Sequence, residues 1–383
     1  MRAISDLKAA VVGTGFIGLV HVEALRRLGV EVTGVVGSSP ERAREKARSY
    51  PLPSAYDSLE QALADPQVDV VHLTTPNHLH YPQVKEVLAA GKHCVCEKPL
   101  ALSSAESAEL LRLAERSGLV HCTNFNIRFY PQVQEARLRV GRGDAGDVWN
   151  VHGGYLQDWL LLDTDWNWRL DPAAGGKLRA VGDIGSHWLD LAQFVTGLRV
   201  ESVLADLATT IPVRQRPTGP VETFTAATGE TEPVEMQTED LAHLLLRFEG
   251  GARGSCVVSQ VSAGRRNRVS LEVDGSAGAI AWDSERNEEL WLGHRGRPNE
   301  TLWRDPGLNE GPVRGSVPAG HHEGFADTFK ELYAAVYRAV AAGEPGDDYP
   351  TFRDGHWENV LADAVLVSND ERRWVQPHSV EVR

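Results

Sequence analysis

The chain has 383 residues, more than one ordinary hydrophobic core accommodates, so two domains are expected. With 42% apolar and 24% charged residues it reads as a soluble globular protein, and a formal net charge of -14 argues against nucleic acid or anionic membrane as partner. Its four cysteines are too few for a disulfide scaffold, no apolar run is long enough to span a bilayer, and the N-terminal apolar stretch runs straight into a glycine motif, so a cytoplasmic protein is expected.

Leu7 to Val12 predicts a short buried strand, followed by Gly13-Thr14-Gly15-Phe16-Ile17-Gly18 and a helical stretch that Gly29 closes. Strand, G-x-G-x-x-G and helix stand in the order a dinucleotide site requires. The first glycine permits the tight turn, the second lets backbone approach a pyrophosphate, and the third lets helix and strand pack closely. The helix N-terminus then faces the phosphates with its positive end.

Val30 to Val36 predicts a second strand. At its tip, where an acid would hold a ribose 2′-hydroxyl, the chain reads Gly37-Ser38-Ser39-Pro40-Glu41-Arg42. Ser38, Ser39 and Arg42 suit a 2′-phosphate and tilt the cofactor from NAD toward NADP. The same serines also suit the cap of the next helix, with Pro40 in its first turn. Ser58 to Ala64 predicts a short helix, and Val68 to Leu73 a third strand. That strand runs into Thr74-Thr75-Pro76-Asn77-His78-Leu79-His80, which places Thr75 and Asn77 against adenosine or ribose. His80 either lies near a nicotinamide or merely begins a helix.

The helix from Tyr81 leads to the strand His93 to Cys96 and then to Glu97-Lys98-Pro99. A lysine at the carboxyl end of a buried strand sits where open α/β sheets bind ligands, and proline ends the strand. The Cys94-x-Cys96 pair invites a zinc reading. Strand residues two apart share one face and buried cysteine behaves as a small hydrophobe, so no metal is expected. Ser103 to Ser117 predicts a helix and Leu119 to Phe125 a strand. The alternation then fades, which puts a Rossmann-type dinucleotide domain at residues 1–126 and a second domain at 127–383. Thr14, Phe16 and Ile17 of the glycine turn, with Glu97, Lys98 and Asn126, complete the expected cofactor contacts in the first.

Downstream, Gln132 to Val140 predicts a crossover helix. Long alternating strands follow, as in Leu241 to Phe248 and Val269 to Val273, with turns at Gly250-Gly251 and Asp274-Gly275. This predicts a large, open, mostly antiparallel sheet with one face on helices. Arg214 to Glu239, rich in Thr, Pro, Gly and Glu, reads as a long loop, and Ala326 to Ala342 as a late helix. One helix, Asp183 to Gly197, interrupts the sheet. Its Asp183 and His187, four apart, fall on one face, and Trp188, Leu191, Ala192 and Val195 form an apolar stripe. An N-cap Asp183 and a packed His187 would give the same pattern.

Taken together, Gly13-x-Gly15-x-x-Gly18, Glu97-Lys98-Pro99 and Asp183-x-Gly185-x-His187 resemble the glucose–fructose oxidoreductase / inositol dehydrogenase / MocA (Gfo/Idh/MocA) family over nearly the whole chain. The resemblance implies an α/β Rossmann domain, doubly wound, joined to an open antiparallel sheet through which members form homo-oligomers, here a dimer or tetramer. It implies an NAD(P)-dependent dehydrogenase or reductase acting on a secondary alcohol or ketone of a sugar, polyol or sugar derivative. Lys98, Asp183 and His187 match the catalytic lysine, aspartate and histidine. In that reading His187 is the general base, Lys98 stabilises developing alkoxide, and Asp183 binds substrate hydroxyls or orients the others. Trp168-Arg169 resembles a cofactor-touching pair of NADP-dependent relatives. Tyr155 and His322 are the expected further lining of the substrate pocket. The alternatives are a non-enzymatic NADP-binding regulator of this fold and a redox-cycling glycoside-cleaving enzyme.

Overall fold

Six parallel strands in the order β3-β2-β1-β4-β5-β6 make the first sheet. They are β1 (Lys8–Val12), β2 (Glu31–Val36), β3 (Ser54–Tyr56), β4 (Val70–Leu73), β5 (His93–Cys96) and β6 (His121–Thr123), joined by helices α1 (Phe16–Arg27), α2 (Pro40–Ser49), α3 (Leu59–Ala64), α4 (His80–Ala89) and α5 (Ser104–Ser117). The structure, a computed structural model, describes residues 2–219 and 229–379. The strand order is that of a doubly wound nucleotide-binding sheet, and its direction reverses between β1 and β4. Register aligns the carboxyl ends: Val12 lies opposite Val36 and Leu73, Leu73 opposite Cys96, and Cys96 opposite Thr123. The glycine turn, the serines after β2, Thr75 and Lys98 therefore follow the same edge. The strands are near-continuous apolar runs because both faces are covered.

In the second unit α6 (Pro131–Gly141) precedes β7 (Val148–Leu156). A short α7 (Pro172–Gly175) and α8 (Ser186–Thr196) follow, then β8 (Val200–Ala208), β9 (Val213–Pro217), β10 (Thr231–Glu235), β11 (Leu241–Phe248) and β12 (Arg253–Ser259). β13 (Arg268–Gly275), β14 (Ala279–Asp283), β15 (Glu289–Gly293) and β16 (Glu300–Trp303) complete an eight-stranded sheet ordered β16-β15-β14-β13-β7-β12-β11-β8. It is antiparallel except for the β12–β7 pair. Along β11, Ala242, Leu244, Leu246 and Phe248 are buried on one face, while Leu245 on the other is 49% exposed. Among the described residues no helix is long and apolar enough to cross a membrane.

The chain divides differently from the expectation of 1–126 and 127–383. Residues 326–359 return to the first unit, and the second comprises 127–325 and 360–383. Burial explains the return. Helix α9 (Phe325–Ala342) carries fully buried Phe329, Tyr333 and Tyr337, and the first two pack on the His21 ring of α1. The next helix, α10 (Phe352–Glu371), divides its residues between the units. The stretch expected to be one loop, Arg214 to Glu239, instead holds the antiparallel pair β9–β10, in which Pro217 faces Thr231; part of it, 220–228, lies outside the described residues.

Candidate active site

β1 ends at Val12, and Gly13 turns the chain with φ +110°, a conformation glycine adopts without strain. The Gly13 N–H donates to the Val36 carbonyl at 2.9 Å. A Cβ on Gly13 would overlap Thr74 Oγ1, and one on Gly18 would overlap the Gly13 carbonyl oxygen. Gly15 differs: nothing lies within 4 Å of its Cβ position. It is the N-cap of α1 and supplies no side-chain cap. Two glycines thus hold the turn tight, and the one between them leaves open space at the positive end of a helix. That is a cradle fit for a pyrophosphate. Thr14 is buried, Ile17 half-buried and Phe16 is exposed at the same turn.

At the tip of β2, Ser39 Oγ accepts the Arg42 N–H at 3.3 Å and caps α2. Ser38 and the Arg42 side chain are exposed beside it. At the tip of β4, Thr74 Oγ1 donates to the Val12 carbonyl at 2.9 Å, tying the central strands together. Thr75 Oγ1 donates to Gln83 Oε1 at 2.6 Å, and Asn77 is buried at the start of a 3-10 turn.

His80 begins α4 and is wholly buried. Its Nδ1 lies 2.7 Å from the Pro99 carbonyl and its Nε2 2.9 Å from the Thr75 carbonyl. Burial lowers its pKa, and the two carbonyls oppose that shift. Both nitrogens face backbone, so His80 braces the β4 tip against the turn that carries Lys98, where a nicotinamide contact was one expectation. Lys98 is half-buried at the end of β5. Glu97 and Asn126, expected at the cofactor, point inward: Glu97 is 7% exposed and Asn126 donates to Thr328 Oγ1 at 2.7 Å. Cys94 and Cys96 are buried thiols whose pKa burial raises, which disfavours the thiolate a metal needs.

In the second unit the segment expected to be one α-helix has two parts. Val181–Gly185, which includes Asp183, forms a π-helical turn; α8 follows, with His187 in its first turn. Such wide turns recur at functional sites. Gly185 permits it: a Cβ there would lie 3.2 Å from Val181 Cγ1 and 3.3 Å from Val258 Cγ2, leaving no room for a larger side chain. Trp188, Leu191, Ala192 and Val195 are buried, as their spacing predicts. Asp183 is held at both oxygens. Arg169 Nε donates to Oδ1 at 3.1 Å and Gln260 Nε2 to Oδ2 at 2.9 Å. The Arg169 guanidinium lies 4.4 Å over the Trp168 ring, so this pair, expected at the cofactor, braces the aspartate.

Tyr155 lies 6.2 Å, ring to ring, from His187, and its hydroxyl donates to Asn267 Oδ1 at 2.8 Å. Burial raises its pKa, so it stays protonated. His322, by contrast, has an 82% exposed side chain and pairs with Glu288 Oε2 at 3.1 Å. Sequence reasoning did not find Gln260 or Asn267. Each is a lone amide just beyond a strand end, and their only signal is that position.

The sequence matches the oxidoreductase family with an NAD-binding Rossmann fold over residues 7–125, and the GFO/IDH/MocA C-terminal domain over residues 133–281. It is 29% identical over 388 residues to the levoglucosan dehydrogenase of Pseudarthrobacter phenanthrenivorans, covering 97% of this chain and 98% of that one. The solved structure of levoglucosan dehydrogenase in complex with NADH and L-sorbose superposes with a TM-score of 0.87 at 29% identity, over 97% of this chain and 98% of that chain. An oxidoreductase from Sinorhizobium meliloti superposes with a TM-score of 0.81 at 30% identity, over 97% and 99% of the two chains. With the glycine cradle, the strand order and the eight-stranded second sheet, these matches place the chain in the Gfo/Idh/MocA family of oxidoreductases, with an NAD-binding Rossmann domain at its N-terminus.

Proposed function

We propose that this enzyme transfers hydride between a nicotinamide dinucleotide and a secondary alcohol or ketone carbon of a sugar, polyol or sugar derivative. The observation that carries the reading is the clamp on Asp183: a carboxylate fixed at both oxygens by Arg169 and Gln260, four residues before the buried imidazole of His187. Such a fixed acceptor suits an array of substrate hydroxyls. Relatives named for levoglucosan and 1,5-anhydro-D-fructose support the substrate class.

When bound, the nicotinamide supplies the hydride acceptor or donor. His187 takes the hydroxyl proton as general base, the role imidazole most often fills in proton transfer from a hydroxyl. The Lys98 ammonium, at the end of β5 in the first unit, has the role of stabilising developing alkoxide charge. Asp183 accepts from neighbouring hydroxyls and orients the ring. No metal is needed for these roles. The first unit binds the dinucleotide through Gly13, Gly15 and Gly18, with Thr75 and Asn77 toward its adenosine half.

Ser38 and Arg42 at the β2 tip favour a 2′-phosphate, hence NADP, while the relative solved with NADH favours the unphosphorylated cofactor. Relative KM values for the two dinucleotides decide between them. The exposed outer face of the second sheet, with Leu245 and Val257, supports a homo-oligomer, and the buried thiols suit a reducing cytoplasm. The test is the pH profile of turnover on a sugar and polyol panel. His187→Ala is expected to abolish turnover or remove its acid limb; an unchanged profile excludes the residue as base.

A further inference from the structure

Behind the tip of β5 runs a line of polar side chains that this mechanism does not use. Tyr337, His72, His21, Glu97, Asn124 and Tyr333 are each at most 7% exposed, and all belong to the first unit. The Tyr337 hydroxyl lies 3.0 Å from His72 Nε2, His72 Nδ1 lies 3.0 Å from His21 Nδ1, and His21 Nε2 lies 3.1 Å from Glu97 Oε1. Asn124 Nδ2 donates to the same Glu97 oxygen, and the Tyr333 hydroxyl donates to Asn124 Oδ1 at 3.3 Å. The other Glu97 oxygen accepts the backbone N–H of Lys98 at 3.2 Å.

A neutral imidazole has one donor and one acceptor nitrogen. With Glu97 ionised, one proton order satisfies the whole line. Tyr337 donates to His72 Nε2, His72 Nδ1–H donates to His21 Nδ1, and His21 Nε2–H donates to Glu97. The reverse order requires a proton on Glu97 and a new acceptor for the Tyr337 hydroxyl, so the two orders differ by one proton. Every polar contact described here to Glu97 is a donor, and donors to the charged form favour it. Burial and the neighbouring His21 push the His72 pKa well down, which keeps that ring neutral. Tyr333 of the line and, beside it, His80 and Cys96 sense the Glu97 charge; Cys122 acts on Tyr333 and Cys96, and Asp69 on Tyr337.

We propose that His21, His72 and Tyr337 are positioning residues whose ordered hydrogen-bond line holds Glu97 as a carboxylate and thereby fixes the backbone at Lys98. The effect on turnover rests on the reading of Lys98 given above; the proton order does not.

The direct test is nitrogen-15 NMR of the histidine rings in the wild-type, full-length protein near neutral pH, with His21 and His72 assigned by single substitution. The expected result is a neutral His72 protonated at Nδ1 and a neutral His21 protonated at Nε2. Reversed tautomers, or an imidazolium at either position, overturn the proposal. This readout uses no substrate, so its failure is distinct from failure of the dehydrogenase reading. In turnover, His72→Phe removes the donor to His21. It is expected to lower kcat about tenfold, as loss of one hydrogen bond in a charge-holding network does, with the dinucleotide KM unchanged. His72→Asn, whose amide keeps an N–H toward His21, is expected to recover most of the loss. A folded His72→Phe protein with wild-type kcat contradicts the proposal.

Discussion

Arg169 donates its Nε to Asp183 Oδ1 at 3.1 Å, across a turn that the motif Asp183-x-Gly185-x-His187 does not include. The contact separates two roles for the arginine. If it acts through Asp183, Arg169→Met lowers kcat/KM for the alcohol about tenfold, the value of one charge-assisted hydrogen bond, and leaves the dinucleotide KM unchanged. A dinucleotide KM that rises with unchanged alcohol kinetics would return the arginine to the cofactor. Gln260→Leu should show the same pattern more weakly, because a neutral donor is lost.

The three glycines of the turn should separate stability from binding. Gly18→Ala forces a Cβ onto the Gly13 carbonyl, and overpacking of this kind costs about 1–3 kcal/mol, read as a lower urea midpoint. Gly15→Ala adds a Cβ with nothing within 4 Å of it, so its midpoint should match wild type while dinucleotide affinity falls. Equal destabilisation by both would show that the open position at Gly15 is not the binding face.

Cofactor choice is expected to rest on Arg42, whose side chain is exposed beside the tip of β2. Arg42→Ala should raise the KM for NADP and leave that for NAD unchanged. The arginine is the cleaner probe than Ser39, because removing that serine also removes the α2 cap, worth about 1 kcal/mol. A KM that changes equally for both cofactors would exclude selection at the 2′ position.

Stability should fall on mild acidification. His121 accepts the Phe352 N–H at Nδ1, 3.1 Å, against the Phe352 ring, and burial pushes its pKa down to about 4. The unfolded imidazole takes up its proton near pH 6.5, the folded one only near 4. The stability is therefore full above the unfolded value and lost as pH falls through the folded one, on the order of 3 kcal/mol in all. His72 and His80, also lowered by burial, act in the same direction. Urea midpoints measured across this window should decline, with a smaller slope in His121→Asn. A midpoint that rises on acidification contradicts the assignment.

Much of this was legible in the sequence because its cause is local. A glycine turn after an apolar strand has one steric reading, and the strands of the first sheet are apolar runs bounded by breakers. Buried Trp188, Leu191, Ala192 and Val195 follow from helical spacing. The wide turn at Val181–Gly185 was not legible, since one extra residue per turn leaves the same short apolar pattern. Nor was β3, three residues at a sheet edge. Helix α10 has apolar residues on several sides, with Phe352, Val360, Leu361, Ala364 and Val365 all buried, so it lacks a single stripe. The return of residues 326–359 to the first unit rests on contacts between distant segments, as of Tyr337 with His72, which no local pattern encodes. Glu97, His80 and Arg169 were recognisable as polar residues near the site; that each braces a neighbour depends on partners distant in sequence or on local backbone geometry.

The most direct measurement is reduced-nicotinamide absorbance with purified protein, NAD or NADP, and a panel of sugars and polyols, run beside Lys98→Met. The result expected is absorbance that grows with one class of polyhydroxy substrate in the wild type, and in the variant bound dinucleotide with turnover nearly abolished. Equal turnover in Lys98→Met, or confirmed dinucleotide binding with no growth on any substrate, would contradict the proposed chemistry.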